Sequence, residues 1–340
     1  MAPMDDLLSD ALRRLLTGSC TTGLVREIEA GRSHEPLWSL IEDSGFADAM
    51  VAPEQGGAGL SLAETYPLLE QCGASALPVP LAQTMFARAV LSRAGVTPPA
   101  GSITFGDGAV DEAGRLACPM VSAGRVADWV LVRRGAECLL LPVAQAESSP
   151  AVFCLDAQLA WLPPFLDRAQ AIESAEDLRL LQACLYAAQL AGALMRVLEH
   201  TLQYANDRQQ FGRPIGRFQA IQHQMSVIAE HAFAARMAAR IGCRADTLSG
   251  HTASADPLRV AVAKARTSEA ALEVAALAHS IHGAIGFTAA FDLHLLTRRL
   301  HLWRQAAGSE SYWQAVVGRA LLEGRQDLSL DLLRRVTDFR

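Results

Sequence analysis

Apolar positions along this chain change their spacing twice. Over residues 1–100 they recur at three and four residues in short stretches closed by Gly or Pro, which predicts short helices. Leu37, Trp38, Leu40 and Ile41 fall on one stripe of a helix that stops by Gly45. Ser61 followed by Glu64 reads as a capping box opening the next helix, in which Pro67 predicts a kink or a later start. A Pro- and Gly-rich loop lies between these two helices, and a further helix follows Pro80. From 101 to about 164 the texture becomes short runs of Val, Leu and Ile broken by Gly, Pro and Asp, at 101–110, 125–134 and 138–144, which predicts strands and turns. From about Ser174 helical spacing returns for about nine turns, then again after Phe218, from Pro257 to a stop at Gly283, and in two further stretches, 291–303 and 309–322. Long helices on short connections predict an antiparallel bundle. The expected fold class is mainly α: an N-terminal helical domain (1–100), a small, reduced β domain (101–168) and a C-terminal four-helix-type bundle (169–340).

Composition narrows the function. The 340 residues carry a formal net charge of −6, and the high hydrophobic share of 51% comes with only 6% aromatics, so Ala and Leu dominate. Mild acidity argues against a nucleic-acid partner. The seven cysteines show no C-x-x-C, which predicts free thiols in a reducing compartment and no structural zinc. No H-E-x-x-H occurs, and His279 and His282, three apart on one helix face, read as a satisfied or partly exposed pair, so no metal site is expected. The first residues lack the basic start and apolar stretch of a signal peptide, and no uncharged run approaches the length of a membrane span. The expectation is a soluble, cytoplasmic protein.

One segment does not fit this bland background. The turn "RQQFGRPIGRFQAIQH" sets Arg208, Arg213 and Arg217 around Phe211, Gly212, Pro214 and Gly216. A turn needs Gly and Pro for its path but not three guanidiniums. It is either a solvated basic turn or a rigid loop built for an anion.

Three ordered strings resemble the acyl-CoA dehydrogenase family along most of the chain. "VAPEQGGAGLSLAE" is similar to its P-E-x-x-G-G-x-G motif, "YANDRQQFGRPIGRFQAIQH" to its R-x-x-F-G-x-x-I…Q motif, and "HGAIGFT" with "RRLHLW" to the segment before its catalytic turn. The resemblance implies FAD held between subunits and α,β-desaturation of an acyl-CoA thioester, with an electron-transfer flavoprotein or similar acceptor. It places Arg208 on the flavin pyrophosphate, Phe211 against the cofactor and Gln219 as a polar contact, with Gly283 and Ser309 as further cofactor-binding positions. Arg213 and Arg217 keep the solvated reading.

The departures from the family pattern are specific. The glutamate of the catalytic turn falls on Ala307, and the alternative base position on the preceding long helix is Gln182. The acids nearby, Glu176, Asp177 and Glu310, read as surface or helix-start charges. A Gln and a second Gly of the family pattern are Ser280 and Ala284 here. The β region lacks a T-E-P-x-x-G-S-D segment, and Trp129 reads as core packing. The catalytic residues are therefore unassigned. The pattern resembles the short subunit of heteromeric acyl-CoA dehydrogenases of the steroid side-chain type, which completes the flavin site of a longer homologous partner. Two other readings stay open: a self-sufficient homo-oligomer with a relocated base, and a non-catalytic scaffold on the same fold.

Overall fold

A computed structural model describes residues 4–135, 137–167, 169, 171–173, 176–244, 255–323 and 329–337. In chain order the first elements are α1 (Met4–Ser19), α2 (Thr22–Glu29), α3 (Glu35–Asp43), α4 (Leu62–Ala74) and α5 (Leu81–Arg93). The strands follow: β1 (Ile103–Asp107), β2 (Ala109–Val110), β3 (Leu116–Val121), β4 (Trp129–Arg134), β5 (Glu137–Pro142), β6 (Glu147–Pro150), β7 (Ala157–Trp161), the short α6 (Pro163–Leu166) and β8 (Ala171–Ile172). The rest is α7 (Leu178–Asp207), the hairpin β9 (Gln209–Gln210) and β10 (Arg213–Pro214), then α8 (Gln219–Gly242), α9 (Pro257–His282), α10 (Leu293–Gln305), α11 (Glu310–Glu323) and α12 (Ser329–Thr337). The fold is mainly helical with a small β region, as the periodicity predicts. The expected helix start near Ser174 lies outside the described residues.

By compactness the chain forms two units. One unit is 1–65 with 77–178; the other is 66–76 with 179–340. The boundary runs through α4.

In the first unit, β1–β4–β5–β8 and β2–β3–β7–β6 form two four-stranded sheets, with β1 parallel to β4 and the other pairs antiparallel. Leu116, Cys118, Val130, Val132, Leu139, Leu141, Leu159 and Trp161 form one buried core. Their alternation along each strand is the period-two signal of a face turned inward. Pro119 sits in β3 at a register shift between Cys118 and Val121, where a missing N–H breaks no ladder bond. Trp129 is not a core residue: it is half-buried, and its Nε1 donates to Ala100 O at 3.1 Å. Trp161 fills the core instead, donating to Pro142 O at 2.9 Å. In α3, Leu37, Trp38 and Ile41 are buried, but Leu40 faces out.

The capping box forms as predicted: Glu64 N donates to Ser61 Oγ and Ser61 N to Glu64 Oε2. Pro67 lies inside α4 and does not delay its start, which is at Leu62. The second half of α4 is held from outside: Arg236 of α8 donates to both oxygens of Glu70, and the Tyr66 hydroxyl donates to Arg236 O. Tertiary anchoring here outweighs the local penalty of one proline.

The second unit is a bundle in which α9 packs against α8, α10 and α11. Two stretches, Leu178–Asp207 and Pro257–Phe287, are apolar and long enough on composition alone to cross a bilayer, which the reading of uncharged runs overlooked. The best window of the first is 78% buried inside the protein, so its apolarity serves the bundle core. All seven cysteines are free thiols; Cys184 and Cys243 bring their Sγ atoms to 3.5 Å without a disulfide.

Candidate functional site

The arginine turn is a two-residue hairpin. Arg213 pairs with Gln210 and Pro214 with Gln209, leaving Phe211 and Gly212 at the tip with φ of 51° and 77°. Positive φ at both central positions is what a twisted two-residue hairpin requires, and it costs little at Gly212 but strains Phe211. Phe211 nevertheless stands 92% exposed. The hairpin base is fixed by Ile215 N donating to Arg208 O at 2.8 Å and by the buried Ile215 side chain. Arg213 is no plain solvated charge: its guanidinium lies 4.3 Å over the Phe218 ring. Arg208 and Arg217 are exposed, and among the described residues no carboxylate pairs with either. Gln219 is exposed as the first residue of α8.

The end of α9 comes to the same place. Tyr204, one turn before Arg208, stacks on His282 with ring centroids 4.3 Å apart and 22° between planes. His282 is buried, its Nδ1 lies 2.8 Å from Ala278 O, and burial lowers its pKa. Gly283 follows with φ 62° and ψ −147°, a conformation open to glycine, and its N–H closes the helix on His279 O. His279 stacks on Phe287 and bonds Thr297 Oγ1 through Nε2 at 2.9 Å. Each histidine makes one ring-nitrogen contact within the second unit, and among the described residues no group of three potential metal ligands occurs. The contact between α7 and the end of α9 is thus made by Tyr204 and His282, the one four residues before Arg208 and the other immediately before Gly283.

Ser309 is elsewhere. The turn between α10 and α11 runs through Ala307 (φ 56°) and Gly308 (φ 106°), and Ser309 precedes the first residue of α11. A Cβ on Gly308 would come within 2.8 Å of Trp313 Nε1, so only glycine fits. Trp313 Nε1 donates to Ala307 O at 3.1 Å, and Lys264 Nζ donates to Gly308 O at 3.1 Å. Lys264 and Gly283 are 19 residues apart on α9, about 28 Å at the rise of an α-helix. The turn that carries Ser309 therefore packs near the eighth residue of α9, while Gly283 follows its last.

The acids near the empty base positions are engaged. Glu310, the first residue of α11, pairs with Arg304, and Glu176 receives both Nε and Nη2 of Arg93 at 2.6 and 2.8 Å. Gln182 is half-buried on α7. Lys264 escaped the sequence reading because its apolar helix made it one charge among thirty.

The acyl-CoA dehydrogenase C-terminal domain model matches residues 180–322, the hairpin and bundle just described. An acyl-CoA dehydrogenase, IpdE2 of Mycolicibacterium smegmatis, is 30% identical over 313 residues, covering 91% of this chain and 96% of the relative. The chain belongs to the acyl-CoA dehydrogenase family. Its fold is shared with a solved steroid acyl-CoA dehydrogenase, the Tcur3481–Tcur3483 G363A variant (TM-score 0.80, 23% identity, 95% of this chain and 99% of that one). The ChsE4–ChsE5 complex from Mycobacterium tuberculosis is also similar (TM-score 0.76, 20% identity, 95% and 98% covered).

Proposed function

We propose that this chain is a cytoplasmic subunit of an FAD-dependent acyl-CoA dehydrogenase that completes the flavin site of a longer homologous partner. The observation that carries this reading is the hairpin. It holds an aromatic ring almost fully in solvent, in strained backbone, beside an exposed guanidinium. A loop that serves its own fold buries its phenylalanine; one that serves a neighbour presents it. The residues fit the cofactor's chemistry. Arg208 suits a diphosphate dianion and Phe211 a flat ring, and Gln219 and Gly283 are the further contacts that the family resemblance implies. Ser309, in the turn bonded by Lys264, belongs to a second flavin edge. When bound, FAD supplies the hydride acceptor for α,β-desaturation of the thioester. This chain holds the diphosphate and shields the ring from water.

Ala307 and Gln182 leave both familiar base positions without a carboxylate, and Glu310 and Glu176 are tied to arginines. The proton acceptor then belongs to the partner. The likeness to a solved steroid acyl-CoA dehydrogenase supports a CoA thioester from steroid breakdown as substrate, and the family resemblance supports an electron-transfer flavoprotein or similar acceptor.

The test is flavin stoichiometry with native mass, on the chain alone and co-expressed with a longer homologue. The expected result is a colourless chain alone and a yellow heteromer with less than one FAD per subunit. A homotetramer of this chain carrying one FAD per copy would overturn the reading.

A further inference from the structure

The chain contains 29 arginines and one lysine, and that lysine is Lys264. It is fully buried. Its Nζ donates to Ser268 Oγ at 2.9 Å, Trp303 O at 3.0 Å, Arg304 O at 2.9 Å and Gly308 O at 3.1 Å. Two of these carbonyls belong to the last turn of α10, where helix geometry leaves carbonyls without intrahelical partners. A cation there also meets the negative end of the helix dipole. The fourth oxygen lies beyond the helix, in the turn whose left-handed Ala307 and Gly308 need an outside hold. Ser268 Oγ in turn donates a hydrogen bond to Arg304 O at 3.2 Å, which closes the cluster.

Arginine meets every other basic need of this protein, so its absence here is informative. A guanidinium is planar and stays charged at any physiological pH; an ammonium is compact, tetrahedral and titratable. We propose that Lys264 is the positioning residue of the Ala306–Ser309 turn and acts as a proton-operated clasp on it. With three N–H donors the ammonium gathers the end of α10 and the turn into one unit. The neutral amine has two donors and a lone pair, so one N–H fewer serves the same four oxygens. Gly308 O, the longest contact and the one outside any helix, is released first.

The surroundings set the titration range. Burial pulls the lysine down to about 7, Glu310 from α11 opposes that fall, and Arg304 from α10 reinforces it. Among the described residues, α8 brings no charged group that acts on Nζ. The inference stands on the turn's geometry and not on the flavin reading, so either can fail alone.

A single lysine makes the test direct. The purified full-length chain, labelled with 13C,15N-lysine, gives one side-chain Nζ/Cε signal to titrate between pH 5.5 and 9.5. Trp313, bonded to Ala307 O, reports the turn by fluorescence, with Trp313→Phe identifying its share. The expected result is one shared midpoint near pH 7 for both signals. In Lys264→Met the fluorescence step disappears; in Lys264→Arg the low-pH signal persists across the range. A lysine midpoint above about 9.5, a lysine transition that leaves Trp313 unmoved, or a step that survives in Lys264→Met would each overturn the proposal. The wild-type titration alone decides the matter if a variant does not fold.

Discussion

Gly73 on α4 and Gly192 on α7 form a reciprocal notch. A Cβ on Gly192 would stand 1.9 Å from Glu70 O, and one on Gly73 would stand 1.9 Å from Gln189 O. The backbones touch where any side chain would part them. Gly192→Ala is therefore expected to destabilise the bundle by ~2 kcal/mol or more, since overpacking against backbone has no rotamer to relax into. Urea unfolding checks it, and a shift below ~0.5 kcal/mol would show that the helices separate freely.

Arg208→Ala tests the hairpin's charge. Losing a charge-assisted bond to a dianion costs ~1.5–3 kcal/mol, or about ten- to a hundredfold in flavin affinity. The side chain is exposed, so the helical circular dichroism should not change. Normal flavin content in the assembled enzyme would remove Arg208 from the site.

Phe211→Gly should separate stability from function. Glycine relieves the left-handed strain at the tip, so the unfolding free energy is expected to hold or rise by up to ~1 kcal/mol. Flavin retention in the assembly should fall, because the exposed ring is gone. A loss of stability with unchanged flavin would mean that Phe211 serves the fold.

Lys264 gives stability a pH slope of known sign. Its folded-state value, about 7, lies below its ordinary 10.5, so between these the unfolded chain holds more protons than the folded one. Stability then rises with pH from about 7 upward as the buried charge is relieved. Wild type should gain on Lys264→Met in urea midpoints between pH 6 and pH 9. A constant gap would place the lysine at its ordinary value. The local turn loosens over the same range, so global stability and turn order move in opposite directions.

What the sequence revealed follows physical range. The capping box at Ser61 was legible because its two partners are three residues apart. The hairpin was legible because its Gly, Pro and Arg sit in one continuous string. β6 was missed because all four of its residues are exposed, leaving no buried face to read. β3 was missed because Pro119 interrupts it, and only the register shift in the sheet explains its tolerance. Pro67 misled for the same reason: its helix is held by Arg236, 169 positions away. Trp129 was misread as core because aromatic content marks a strand but not which side of it meets the core, and Trp161, which fills that core, was not singled out. The separation of Gly283 from Ser309 could not be read at all, since it depends on which helix Gly308 meets.

Arginine's near-monopoly on positive charge has a practical side. Lysine-directed reagents, whether crosslinkers, acylating dyes or immobilising resins, find no accessible side-chain target on the native protein. In a mixed assembly, every lysine-to-lysine crosslink formed without unfolding must lie within or between copies of the other subunit. Links absent from this chain would then be a signature of its native burial of Lys264, and their sudden appearance would time the opening of the bundle.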